Sequence, residues 1–193
     1  MERSIRVLTM VDAVLPRTTL WRQASLVALF SVLNGLAAQF RIDLPFTPIP
    51  ITGHTFAVLV TGVLLGSRLG LVTMVAYVGE GVVGLPVFSG FKSGPLHLLG
   101  PTGGYILGFV IGAYVVGLLA ERGWDRRPMT TALAMAIGNV VIYACGLVWF
   151  SRFFGLDRAV ALSVLPFIPG DIVKLVLATV LLPTGWKLLG RWF

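Results

Sequence analysis

The amino-acid sequence predicts an all-α integral membrane protein with six transmembrane helices. Three observations carry that expectation. Of 193 residues, 56% are apolar and only 12% are charged, about half the charged share of a soluble domain. Mean hydropathy is +0.91. The 15 Lys and Arg, set against 8 Asp and Glu, sit between apolar runs instead of forming a basic stripe with interleaved aromatics. That pattern belongs to a membrane protein and excludes nucleic acid as the partner. So little polar surface also excludes a soluble enzyme and a disordered tail. Cys145 is the single cysteine, which excludes an internal disulfide scaffold and a CxxC metal site.

The elements follow in order. Residues 5–15 place apolar side chains at helical spacing and end at Pro16, which fits a short surface helix or a frayed extension of the first span. Asp12 and Arg17 interrupt this stretch, so no cleavable leader is expected. A bilayer crossing needs about 20 mostly apolar residues. Six segments qualify, some short or broken: 20–40, 52–65, 69–85, 102–120, 129–150 and 159–182. The chain then divides into a cytoplasmic segment 1–19, a transmembrane domain 20–184 and a cytoplasmic tail 185–193.

Positive charge sets orientation. One side collects ten basic residues: Arg3, Arg6, Arg17, Arg22, Arg68, Arg122, Arg126, Arg127, Lys187 and Arg191. The other has four, Arg41, Lys92, Arg152 and Arg158, while Lys174 lies inside a span. Both termini are therefore expected in the cytoplasm of a multi-pass plasma-membrane protein. Connections 45–50, 88–99 and 152–158 are expected outside.

The chemistry concentrates at Pro166-Phe167-Ile168-Pro169-Gly170-Asp171-Ile172-Val173-Lys174. Two prolines and a glycine break the hydrogen-bond ladder, so a helix is expected to restart near Asp171, with Asp171 as its N-cap and Lys174 on the same face. Each buried charge opposes insertion by roughly 2.5–3.5 kcal/mol. Either the two residues offset each other as an internal pair, or they form a polar ligand site at a helix break. A second candidate is Gly100-Pro101-Thr102-Gly103-Gly104-Tyr105, where paired glycines either admit a ligand to free amides or serve a tight turn and close packing. Asn139 and Tyr143 share one helical face and can address a ligand or a neighbouring helix. Phe88, Phe91 and Phe167 suit an apolar wall or the core. His54 and Glu80 suit proton handling or interior hydrogen bonding, and His97 reads as solvated. No metal or cofactor motif is present in the sequence, and nothing in it argues for an enzyme.

Five separated runs then become recognisable: Leu44-Pro45-Phe46-Thr47-Pro48-Ile49-Pro50-Ile51-Thr52-Gly53; Gly84-Leu85-Pro86-Val87-Phe88; Gly100 to Tyr105 with Leu107-Gly108-Phe109; Gly138-Asn139 with Tyr143; and Pro166 to Lys174. In this order they resemble the BioY family, the biotin-specific substrate-capture (S) components of energy-coupling factor (ECF) vitamin transporters. The resemblance spans residues 20–182. It departs at His54, where the family usually carries glutamine, and at Glu80, where it usually carries an apolar residue. It implies an S-component-like six-helix bundle that binds biotin from outside and joins a transmembrane coupling protein and two ATP-hydrolysing subunits, which some members lack. Biotin's carboxylate, ureido ring and apolar tail would be met by Asp171, Lys174, Asn139, Tyr143, Gly103, Gly104, Tyr105, Phe88, Thr52 and His54.

Ala24 and Ala28, four apart, would present small residues to the coupling protein, as S components do, or would pack inside the bundle. Membrane lipid is the remaining partner. Two other functions stay open: an ion-coupled carrier using Glu80 or His54, and, remotely, an intramembrane enzyme using Asp171, Lys174 and Glu80.

Overall fold

The computed structural model describes residues 9–15 and 19–190. Arg3, Arg6, Arg17 and Arg191 of the charge count, and the first part of the expected amino-terminal helix, lie outside the described residues. The described chain is nearly all helix: α1 (Met10–Val14), α2 (Leu20–Gln39), α3 (His54–Val82), α4 (Pro95–Leu99), α5 (Gly103–Ala120), α6 (Pro128–Phe154), α7 (Leu156–Ser163) and α8 (Ile168–Leu189). Single 3-10 turns lie at Trp124–Arg126 and Leu165–Phe167. Strands β1 (Arg41–Ile42) and β2 (Ile51–Thr52) pair antiparallel and staple the loop between them.

Among the described residues, four helical stretches are long and apolar enough to cross a membrane: His54–Val82, Gly103–Ala120, Pro128–Phe154 and Leu156–Leu189. At 20 residues α2 has the length, but Arg22, Gln23, Asn34 and Gln39 dilute its apolar character. Its faces are nonetheless inverted relative to a soluble helix. Ser31, Asn34, Gly35 and Ala38 turn inward, while Leu29, Val32 and Leu36 are exposed. Two inward polar groups bond across the interface: Asn34 Nδ2 donates to Thr61 Oγ1 at 2.9 Å and Ser31 Oγ to Glu80 Oε2 at 2.6 Å, while Asn34 Oδ1 has no partner among the described residues.

The longest helix is a folded one. Gly66 has φ 80° and ψ 178°, a conformation only glycine adopts cheaply. A straight helix would hold Gly62 and Gly70 about 12 Å apart; instead a Cβ added to Gly70 would lie 3.0 Å from the Gly62 Cα. Residues 54–65 and 67–82 are thus two arms laid against each other. The second arm starts on a borrowed cap, because Ser67 N and Oγ donate to Glu121 Oε1 at 2.8 and 2.7 Å.

These arms pack on α5, and α5 packs on α6, through missing side chains. A Cβ at Gly62 would fall 2.3 Å from Ala113 O, at Gly117 2.5 Å from Ser67 N, and at Gly108 3.0 Å from Ile142 O. Apolar burial offers helices in lipid no net attraction, so such close approach is what holds them together.

Two sequence expectations need correction. The break before α8 lies earlier than predicted: Val164, with φ −125° and ψ −60°, ends α7, and Phe167 is the N-cap of α8. Pro169 falls at the second helical position, where a missing N–H costs no bond. Asp171 is therefore a first-turn residue and not a cap. Residues 152–158 are also no open loop, since α6 runs to Phe154 and only Gly155, at φ 76°, separates it from α7. At the far end α8 passes through Pro183 to Leu189, into the expected tail.

One end of the molecule gathers Thr9, Gly66, Glu121 and the 124–126 turn. There Trp186 Nε1 donates to Asp125 Oδ2 at 2.5 Å, and the Arg126 guanidinium lies 4.4 Å over the Trp186 ring. The β1–β2 staple, the 84–94 loop and α4 form the opposite end.

Candidate functional site

At that opposite end the helices part around a cavity with about 870 Å³ of atom-free space, mouth included. This lies within the usual 300–1,000 Å³ of small-molecule sites. Its inner end is a closed polar network. Asp171 and Lys174, three apart on α8, meet with Nζ donating to Oδ1 at 3.1 Å. Lys174 Nζ also donates to Thr55 Oγ1 at 2.7 Å, from the first turn of α3. From α6, the Tyr143 hydroxyl donates to Asp171 Oδ2. The Lys174 and Asp171 side chains are 17% and 10% exposed, so both charges are largely out of water and matched to each other. An ammonium has three donors, and among the described residues one N–H of Lys174 remains uncommitted.

Aromatic groups wall the space above. Tyr105 is fixed by donating its hydroxyl to Ser163 O at 2.7 Å, and it meets the Tyr143 ring edge-on at 6.3 Å. His54 is 4% exposed, wedged edge-on between Tyr77 at 4.8 Å and Phe109 at 4.4 Å. Its Nε2 has no hydrogen-bond partner among the described residues.

Phe88 is fully buried because its loop is tied down from three sides. Gln39 Nε2 donates to Val87 O and Phe88 O at 3.4 and 3.2 Å, and Phe91 N donates to Gln39 Oε1 at 3.0 Å. Tyr77 donates its hydroxyl to Val87 O at 3.0 Å. Phe88 and Lys92 exchange backbone bonds of 3.0 and 3.2 Å. The Phe88 ring stacks on His97 at 5.1 Å. His97 is thus half-buried and not solvated, and burial, aided by the Lys92 ammonium, lowers its pKa and keeps the imidazole neutral.

Of the residues expected at the site, Asp171, Lys174, Tyr143, Tyr105, Phe88, Thr52 and His54 line the cavity, and so does Phe167. Asn139, Gly103 and Gly104 do not. The glycine pair admits protein and not ligand: a Cβ at Gly103 would sit 1.7 Å from Leu98 O, and one at Gly104 2.2 Å from Trp149 Cβ. Phe91 is exposed with φ 56°. Ala24 and Ala28 are both exposed on α2, which removes the reading that they pack inside the bundle. The sequence reading missed Thr55, Tyr77, Phe109, Ser89, Arg41 and Lys92, all of which line the cavity. Only Phe109, inside a run that carries the family resemblance, and Thr55, adjacent to His54, had any sequence cue.

Comparison with known proteins places this architecture. The chain is 41% identical over 160 residues to the probable biotin transporter BioY of Pyrococcus horikoshii, covering 83% of this chain and 93% of that one. It is 37% identical over 163 residues to the biotin transporter BioY of Thermotoga maritima, with the same coverages of 83% and 93%. In fold it matches the crystal structure of the S-component for biotin from an ECF-type ABC transporter, with a TM-score of 0.75 over 89% of this chain and 95% of that chain, at 23% identity. These relatives are transporters and not enzymes, so Asp171, Lys174 and Glu80 are not acid–base catalysts of an intramembrane reaction. Residues 8–191 match the family model, and the chain belongs to the BioY family.

Proposed function

We propose that the chain is the substrate-capture subunit for biotin uptake, taking biotin into the cavity from the extracytoplasmic side. Delivery then runs through an ATP-driven ECF module, a transmembrane coupling protein with two ATP-hydrolysing subunits. The observation that carries this reading is the Asp171–Lys174–Tyr143–Thr55 network at the inner end of an aromatic-walled cavity. Such a network offers a ring of urea type both donors and acceptors, while Phe88, Tyr105 and Phe109 suit an apolar bicycle and tail. The reading includes six crossings, counting the two arms of α3 separately, with both termini cytoplasmic. It retains 1–19 and 185–193 as cytoplasmic segments around the 20–184 domain. Exposed Ala24 and Ala28 are its docking face for the coupling protein. Glu80, a carboxylate held by Ser31 within α3, supports a second reading in which the chain carries biotin alone, coupled to an ion.

Isothermal titration of the detergent-purified chain with biotin tests capture, and micromolar or tighter binding is expected. Uptake in vesicles with and without the ATP-hydrolysing partners separates the two readings. Uptake without them would overturn the ATP-driven one.

A further inference from the structure

The two ends of the bundle handle their charges differently. At the end that gathers Thr9, Gly66 and the 124–126 turn, each described carboxylate is turned onto a neutral donor. Asp12 accepts from Thr9 Oγ1 at 2.8 Å, Glu121 from Ser67 N and Oγ, and the buried Asp125 from Trp186 Nε1. The bases of that end are Arg22, Arg68, Arg122, Arg126, Arg127 and Lys187. All six are exposed, and among the described residues none of them forms an ion pair. At the opposite end acids stay beside bases: Arg41 is paired with Asp43, and Asp157 lies exposed next to Arg158 in α7.

The uncompensated charge is densest where the α5–α6 connector meets the end of α8. The Arg126 guanidinium lies 4.4 Å over the Trp186 ring, which covers one face and leaves its rim of N–H donors for another acceptor. Asp125 is near enough to feel that charge but forms no ion pair with it. Arg127 follows Arg126 in the chain, and Lys187 follows Trp186, lining a shallow depression with Thr184, Leu188 and Gly190. Apolar surface begins directly beside these bases: Met129 is 83% exposed and Leu188 52%. An acidic protein surface would match the bases and leave those apolar neighbours in water. A phospholipid matches both, because its anionic phosphodiester sits directly above its acyl chains, and basic pockets between membrane helices take such headgroups.

We infer that Arg126, Arg127 and Lys187 hold the headgroup of an anionic phospholipid, whose acyl chains run along the exposed apolar side chains of α6 and α8. The inward-turned carboxylates are what keep this surface positive. Arg22, Arg68 and Arg122 extend the same field around the rim of the bundle.

The test reconstitutes the full-length chain in nanodiscs of phosphatidylcholine mixed with phosphatidylglycerol and counts the lipids retained by native mass spectrometry. Phosphatidylglycerol should be retained in preference by about fivefold or more, the factor expected of one base near an anionic headgroup. Arg127→Gln with Lys187→Gln should lower that preference at least about fivefold, and raising salt should lower it in the wild type. Arg152→Gln with Arg158→Gln, at the opposite end, should leave it unchanged. Thermal unfolding in phosphatidylcholine alone should give wild-type Tm for the Arg127 and Lys187 variant, and Lys187→Gln by itself repeats the test at a single exposed side chain. Equal retention of the two lipids by the wild type would overturn the inference. So would a preference that survives the Arg127 and Lys187 changes, or one that falls as far in the opposite-end variant. Displacement of the lipid by inorganic phosphate at equal concentration would overturn it too, because free phosphate has no acyl chain to place. Loss of co-purifying ATP-hydrolysing subunits in the Arg127 and Lys187 variant, with no lipid preference in the wild type, would assign the surface to a protein instead.

Discussion

Lys174→Met exposes what the ion pair is for. The substitution keeps the stem's length and removes the ammonium, so Asp171 loses its 3.1 Å partner while keeping only the neutral Tyr143 donor. Breaking a buried pair from one side costs about 3–5 kcal/mol. The surviving Tyr143 bond and the residual exposure place this case at the lower end, about 3 kcal/mol. For a domain of this length that corresponds to a fall in Tm of roughly 6–12 °C. Adding Asp171→Asn removes the stranded carboxylate and leaves an uncharged amide that Tyr143 can still reach. Stability in the double variant should recover most of the loss, since replacing both members of a buried pair is often neutral. Binding should not recover: biotin affinity should stay at least 30-fold down in both variants. The assays are thermal unfolding in detergent and isothermal titration on the same preparations. A double variant as unstable as Lys174→Met alone would refute the charge-pairing argument. Recovery of binding together with stability would refute the claim that the pair contacts the ligand.

Three further outcomes are expected. In a Cys145→Ser background, a cysteine placed in loop 45–50 should react with a membrane-impermeant thiol reagent in intact cells, and one beside Arg126 should not; the reverse would invert the topology. Ala24→Trp with Ala28→Trp, both on the exposed face of α2, should leave biotin binding by the purified chain intact while abolishing co-purification of the coupling protein and energised uptake. Asp125, in the connector between α5 and α6, has its pKa raised above its ordinary 3.8 mainly by burial, with Trp186 and Arg126 opposing. Because the folded state favours the neutral acid, this contribution is fullest below the ordinary value and is lost as pH climbs through the raised one. Asp125→Asn should therefore flatten the decline in Tm on raising the pH from about 4, and an unchanged slope would count against it.

Asp171, Lys174 and Tyr143 were legible in the sequence because a charge or phenol in an apolar run costs enough to demand a reason. Thr55 and Tyr77 were not, and Phe109 stood in a recognisable run without being assigned to the site. Hydroxyl and aromatic side chains are ordinary in membrane helices, and although the separate runs 52–65 and 69–85 marked the fold of α3 near Gly66, they did not say which side chains it brings together. Gly103 and Gly104 signalled a close approach truthfully but said nothing of what approaches, and Leu98 and Trp149 proved to be the neighbours. The prolines at 166 and 169 bracketed a break without fixing its register, because a proline in the first helical turn leaves no bond unmade. Lys92 looked like any loop cation. Its place at a cavity mouth follows from Gln39, 53 positions earlier in the chain, which anchors the loop through its amide.

The borrowed cap on the second arm of α3 has a consequence for the order of assembly. Glu121 lies 54 residues beyond Ser67, so if the two arms cross the membrane separately, as the proposed six-crossing topology has it, they enter it as a hairpin before the carboxylate that finishes them has been made. On that topology, until α5 is complete the Ser67 amide is left to water at the membrane face. The hairpin is held loosely over that interval and locks when the end of α5 arrives. A chain truncated just before residue 121 should therefore insert but remain proteolytically sensitive at residues 66–68, and extension by a few residues should abolish the cut.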